Sequence, residues 1–176
     1  MLPPKLAALY EDMEKVREET LSALSGLTEE QFSRKTGEEW SAAQILHHVL
    51  MAEIGTSKVI RKSIKSAAGT LPPYPVDESV LEVRKLPRPV AAYQAPEAVR
   101  PEDPPGKDDL LRLARETREQ TAASFAILAA VDPREATFPH PLFGELNLYE
   151  WPVVNVLMHE RGHQDQIRTV LAHFRG

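Results

Sequence analysis

Between Leu71 and Pro105 the chain reads LPPYPVDESVLEVRKLPRPVAAYQAPEAVRPEDPP, and this stretch decides the fold. It holds nine of the fifteen prolines. Each proline locks its own φ and removes a backbone donor, so no long helix passes through. An extended crossover is expected instead, spanning about residues 69–106 and lying on the surface of the domain. Within it, Val80 to Val83 has the pattern of a short strand.

Helical patterns flank the crossover on both sides. Leu6, Leu9, Met13, Val16, Leu21 and Leu24 recur at a helical period, with Pro3 and Pro4 before them and Gly26 after, which predicts a first helix over Leu6 to Leu24. Thr28 followed three residues later by Gln31 has the form of a capping box and predicts a short helical turn before the polar loop Ser33 to Glu39. Ser41 and Gln44 repeat that form and open a second helix running to about Ala67, stopped by Gly69 and Pro72. Beyond the crossover, Leu110, Leu113, Thr117, Ala123, Leu128 and Val131 mark a third helix over Asp108 to Val131, ended by Asp132-Pro133. The fourth covers Pro152 to Phe174. Asn147 and Glu150 form a cap signal ahead of it, so Pro152 falls inside; either the helix starts at Trp151 or its first turn is irregular. Four amphipathic helices with one long connection between the second and third describe an all-α four-helix bundle.

Length and composition fit this reading. A chain of 176 residues is expected to fold as a single domain, 1–176, burying on the order of 70% of the surface its unfolded form exposes. With no cysteine there are no disulfides, no thiolate ligands and no protein thiol to act as nucleophile, so thiol chemistry has to arrive with a substrate. The net charge of −5, without an aromatic-basic stripe, argues against nucleic acid. No apolar run approaches a membrane span and the first residues lack a secretory core, so a cytoplasmic location without membrane attachment is expected.

The chemistry is concentrated in the fourth helix, where His159, Glu160 and His163 spell H-E-x-x-H. Residues four apart on a helix are neighbours, so two imidazoles converge on one side, and Pro152, Val156, His159, His163, Gln166, Ile167 and Val170 share that face. Burying two imidazoles on one apolar stripe is costly unless they share a purpose, and a divalent ion is the purpose that fits. A metalloprotease fits poorly. The extended pattern wants Gly and His where this chain has Gln166 and Thr169, and none of the thirteen residues after His163 is a Glu. The third ligand is therefore expected upstream. The second helix offers two candidates. His48 shares a face with Ala52 and Gly55, whose small side chains leave room for a pocket, while His47 points toward Leu50 and Ile54. Periodicity leaves both open, with the pocket wall favouring His48.

Three separated pieces, in order, carry a resemblance. They are Trp40-Ser41-Ala42-Ala43-Gln44-Ile45-Leu46-His47-His48, then His140-Pro141-Leu142-Phe143-Gly144-Glu145-Leu146 leading to Trp151, then His159-Glu160-Arg161-Gly162-His163-Gln164-Asp165-Gln166. Together with Ala95-Pro96-Glu97 and Arg100-Pro101 in the crossover, they resemble the DinB/YfiT-like family of metal-binding four-helix bundles over nearly the whole chain. The resemblance implies an up-down-down-up bundle and a divalent metal held by His48, His159 and His163, the first lying eight residues after the Trp. It also implies a homodimer, since many members look like dimers.

Three neutral imidazoles leave an ion its full charge and open positions, the arrangement of a reactive centre. Zinc and nickel suit such a site best, and iron or manganese also fit. The resemblance extends to the family's thiol-dependent S-transferases, which implies a metal-dependent transferase joining a small-molecule thiol to an electrophilic substrate. Two alternatives stand beside it: a non-catalytic, stress-associated metal-binding protein, and a metal-dependent hydrolase with Glu160 as base on a metal-bound water. Glu160 is thus a candidate for catalysis or for orienting a ligand, and Gln166 for a polar group in the pocket. His140 reads as a loop residue and His173 as helix-end chemistry. Val154, Leu157 and Met158 lie off the common face and need cover from another helix or another subunit, which again points to a dimer.

Overall fold

The computed structural model describes residues 1–86 and 95–174. Residues 87–94, the middle of the expected crossover, and residues 175–176 lie outside that set. Helix α1 spans Pro4–Leu24 and starts on prolines, whose missing N–H groups would have no intrahelical partner there. Helix α2 (Glu29–Ser33) and helix α3 (Ala42–Ser66) each begin with the capping box read from the sequence. Gln31 N–H donates to Thr28 Oγ1 and Gln44 N–H to Ser41 Oγ, and each glutamine oxygen accepts the backbone N–H of its cap residue in return. Helix α3 is capped at its C-terminus by Ala67, followed by Ala68 and Gly69, both with positive φ. Helix α4 covers Lys107–Leu128. The stripe expected on it is partly redrawn: Leu110, Thr117 and Leu128 are buried, but Ala123 is exposed and Phe125 fills the core.

The fourth long helix is composite. Helix α5 (Glu150–Pro152) passes through a π-helical segment, Val153–Met158, into helix α6 (His159–Ala172). Asn147 and Glu150 form the cap: Asn147 Oδ1 accepts the Glu150 N–H at 2.8 Å, and Glu150 Oε2 accepts the Asn147 N–H at 3.0 Å. Pro152 therefore lies near the start of the helix. The expected irregularity takes the form of a π turn just after the residue that lacks an N–H.

Contacts between the helices fix their directions. Glu53, Ser57 and Arg61 on α3 meet Arg118, Thr121 and Ser124 on α4 in ascending order, so these two run parallel. Tyr10 packs on Phe125 while Glu14 pairs with Arg118, so α1 opposes α4. Arg17 meets Glu160 and Thr20 meets Gln164, so α1 and α6 are parallel. The bundle is up-down-down-up. Parallel neighbours need a chain that returns along their length, about 37 Å for the 25 residues of α3, and this is what the proline-rich stretch supplies. Its described parts hold a 3₁₀ turn at Glu78–Val80, capped by Asp77, and another at Glu97–Val99. The strand expected at Val80 to Val83 does not form; Leu81 is fully buried and pins the segment to the core instead.

A two-stranded hairpin, β1 (Thr137–His140) and β2 (Gly144–Asn147), pairs antiparallel with Phe138 opposite Leu146. Its turn returns through Gly144 at φ +70°, a conformation glycine adopts without strain. The hairpin and helix α1 between them cover much of the off-face side of the fourth helix. Val154 packs with Leu146 and Trp151, and Leu157 joins the cluster of Leu6, Leu9 and Met13. Of the three off-face residues only Met158 is exposed, so the apolar face that suggested a dimer is largely covered by the chain itself. Among the described residues no helix is long and apolar enough to cross a membrane.

Candidate metal centre

Helix α3 presents His48 two turns from its N-terminus, and antiparallel α6 presents His159 and His163 at the matching level. The Nε2 atoms of His48 and His163 each lie 3.1 Å from Nε2 of His159, and one ligand atom from each residue falls within 4.8 Å of the other two. Two nitrogens bound to one ion at the usual 2.0–2.1 Å sit about 3.0 to 3.3 Å apart, depending on coordination number, so the two 3.1 Å spacings match those of ligands to a shared ion. His47 points elsewhere: it is half-buried with an unpartnered Nδ1, and burial lowers its pKa. His48 is thus the member of the pair that reaches the other two imidazoles.

The far side of each ring sets the tautomer. His48 Nδ1–H donates to the Val99 carbonyl at 2.6 Å, and His163 Nδ1–H donates to Gln166 Oε1 at 2.6 Å. A carbonyl only accepts, so the proton of His48 resides on Nδ1 and its Nε2 lone pair faces inward. His163 is arranged the same way. The Nε2 lone pairs of His48 and His163 thus both face Nε2 of His159 at 3.1 Å, a pair of inward acceptors that a cation between the rings would satisfy. His159 Nδ1 is buried without a partner. Burial depresses the pKa of His48 to about 4, aided by His163 and His47 and opposed by the Val99 bond. Burial, reinforced by His163 and His48, takes His159 down to about 3. His163 is lowered mainly by burial, against the Gln166 bond and Glu160. All three are neutral near pH 7, the form in which imidazole binds metals. The donor set fits a divalent ion.

Trp40 lies against this cluster, its ring 4.9 Å from His48 and near-parallel to His163 at 6.2 Å. Pro101 O accepts from Gln44 Nε2 at 3.0 Å, so with Val99 the end of the crossover is fastened to the first turns of α3. A segment expected only to pack on the outside therefore supplies an acceptor to the site.

Glu160 and Gln166 are placed differently from expectation. Glu160 is buried and turned toward α1, where Arg17 Nε and Nη2 donate to its two carboxylate oxygens at 2.8 and 2.9 Å. Both oxygens are thus engaged by Arg17 on the α1 side. Gln166 is exposed, and its oxygen supports His163 from behind rather than lining a pocket. Arg17 also donates to Glu53 Oε2 at 2.8 Å; Glu53 Oε1 accepts from Thr121 at 2.7 Å and faces Arg118 Nη1 at 3.3 Å. Glu53 is fully buried, and burial alone would lower the Arg17 pKa, but Glu160 and Glu53 outweigh it and raise it.

This network escaped a reading of apolar stripes. Its signal is a charged residue on the inward stripe of each long helix, such as Arg17 four residues after Met13, with signs that balance. His140, read as a loop residue, is the buried end of β1, with its ring 4.9 Å from Trp151. Pro139 and Pro141 on either side obscured the hairpin, although Gly144 four residues on was a turn signal. His173 caps the C-terminus of α6, as helix-end chemistry implies.

A four-helix bundle with three inward-facing neutral imidazoles belongs to the class of helical proteins that can hold a metal between facing helices. The sequence pattern of the DinB superfamily matches residues 12–167, and the chain belongs to that metal-binding superfamily. It is 30% identical over 156 residues to the uncharacterized protein YuaE of Bacillus subtilis (strain 168), spanning 88% of this chain and 91% of that one. The crystal structure of TT2238, a four-helix bundle protein, is similar in fold, with a TM-score of 0.63 at 20% identity over 93% of this chain and 98% of that one.

Proposed function

We propose that His48, His159 and His163 hold a divalent ion, zinc or nickel, and that the protein is a metal-dependent enzyme joining a low-molecular-weight thiol to an electrophile. The observation carrying this reading is the convergence of three Nε2 atoms, two of them with lone pairs turned inward by Nδ1–H bonds to carbonyl oxygens. An ion held by three neutral ligands keeps its full charge, and the chemistry it supplies is to favour the thiolate form of a thiol at neutral pH. The chain's own residues do the rest. Val99 and Gln166 orient the rings, Trp40 shields one side from water, and burial keeps the imidazoles unprotonated. The absence of cysteine leaves the thiol to the substrate. The engagement of Glu160 by Arg17 speaks against a hydrolase that uses Glu160 as base.

Elemental analysis of protein purified without a metal-binding tag tests the first half. About one equivalent of a divalent metal is expected, lost in His48→Ala and His163→Ala; wild-type protein free of metal after growth with each candidate ion would sink it. Steady-state assays with a panel of cellular thiols and a chlorinated aromatic electrophile test the second half. Metal-dependent conjugation is expected, and a metal-loaded protein inert to every thiol would leave a non-catalytic metal binder.

A further inference from the structure

One turn beyond His48 on α3 and one turn before His159 on the fourth helix, a second polar layer joins the same two helices. Asn155, in the π-helical segment, donates from Nδ2 to the Ala52 carbonyl at 3.1 Å and to Thr56 Oγ1 at 3.0 Å. Thr56 Oγ1 in turn donates to the Ala52 carbonyl at 3.1 Å. On the other side, His140 Nε2 lies 3.1 Å from Asn155 Oδ1, and His140 Nδ1 accepts the Leu142 N–H at 3.1 Å.

The polarity of this chain is determined at one end and propagates to the other. A backbone N–H can only donate, so His140 Nδ1 carries the lone pair and Nε2 carries the proton. That proton goes to Asn155 Oδ1, which turns both amide hydrogens toward α3, where Ala52 O and Thr56 Oγ1 accept them. Every donor of His140 and Asn155 is used, so neither has an N–H to offer a substrate. The ring of His140 is held between Phe143 at 5.1 Å and Trp151 at 4.9 Å, which keeps the donor aimed.

The location gives the layer its consequence. A π turn adds a residue to the helix and so changes the rotation of everything after it, and this one ends at Met158, directly before His159. The angle at which His159 and His163 face His48 depends on how that turn is held, and the Asn155 bonds tie it to the α3 turns next to His48.

We propose that His140 and Asn155 are positioning residues for the metal centre: the hairpin, through His140, fixes the Asn155 amide, and the amide locks the π turn against α3 so that the three Nε2 atoms meet. This rests on the metal reading given under Proposed function. The layer acts through the helix and does not touch the ion. Sequence spacing hid it, because His140 and Asn155 belong to different elements, and only the hairpin brings them together.

The test uses full-length protein loaded with Co²⁺ or Zn²⁺, and three variants: Asn155→Leu, similar in size but without polar atoms, His140→Phe, and His140→Gln, whose amide N–H reproduces the Nε2 donor. The readouts are the metal dissociation constant by competition with a chromophoric chelator, the visible absorption of the Co²⁺ form, and the melting temperature of metal-free protein. Asn155→Leu and His140→Phe are expected to weaken metal binding by about tenfold, the low end for residues that orient ligands, and to shift the Co²⁺ bands. His140→Gln is expected to stay near wild type in both. Variants that melt earlier but keep the wild-type dissociation constant and Co²⁺ spectrum would overturn the inference and leave the layer merely structural. If His140→Phe does not fold, Asn155→Leu and His140→Gln decide the matter. Wild-type protein that binds neither ion would instead refute the metal reading itself.

Discussion

Replacing Arg17 by Met gives the sharpest prediction about what holds the bundle together beneath the site. The substitution keeps the length and apolar stem of the side chain and removes the guanidinium that bridges two buried carboxylates, at 2.8 Å to Glu53 and at 2.8 and 2.9 Å to Glu160. Their fates differ. Glu53 keeps the Thr121 hydroxyl at 2.7 Å and Arg118 at 3.3 Å, whereas Glu160 keeps no other hydrogen-bond partner among the described residues. Stranding one buried carboxylate costs about 3–5 kcal/mol, even though the intact pair contributes little net stability against an apolar substitute. For a chain of this length that corresponds to a melting temperature lower by roughly 10 °C. Urea unfolding is the assay, read as a lower midpoint at unchanged slope. The double variant Arg17→Met/Glu160→Gln removes the stranded charge as well and should recover a large part of the loss, with a coupling of about 2–3 kcal/mol in the double-mutant cycle. A loss below about 1 kcal/mol in the single variant, or additive effects in the cycle, would refute the assignment of these charges to one network.

Gln166→Leu removes the acceptor behind His163 on an exposed position. Stability should stay within about 0.5 kcal/mol while metal affinity falls by about tenfold or more, measured by chelator competition; unchanged affinity would mean that Gln166 does not orient the ring. Ser41→Ala deletes the cap of α3 and should cost about 1 kcal/mol in urea unfolding. A neutral result there would show that the reciprocal Gln44 bond to the Ser41 backbone suffices.

Most of the architecture was legible because it rests on local signals: capping boxes at Thr28 and Ser41, prolines that forbid helix over the crossover, and apolar residues at helical spacing. The direction of the helices is what the family resemblance implies, and a connection that long agrees with neighbours running parallel. What escaped has no local signal of its own. The strands of the hairpin are four residues each and carry Pro139, too short for alternation to register. Pro152 signals an irregular first turn, but nothing in the sequence specifies that it is a π turn over Val153–Met158. Apolar periodicity skips a charged residue such as Arg17 that shares the stripe, and it assigns Leu21 a position that Thr20 buries more completely.

The triad and the charge network show how the same core tolerates two opposite uses of polar groups. Around Arg17 every carboxylate faces a cation, so the charges compensate one another, with Arg17 Nη1 left without a hydrogen-bond partner among the described residues. Around His159 the polar atoms are uncharged, and the protons of His48 and His163 are drawn to the far side of their rings, which leaves two lone pairs turned inward. Such an arrangement is well suited to a cation at its centre. His159 and Glu160 are adjacent in the chain, and the turn of the helix sends one into each environment. Within the H-E-x-x-H pentapeptide the two histidines thus face His48 while the glutamate faces Arg17, so the carboxylate of the motif is engaged in the charge network that joins α6 to α1.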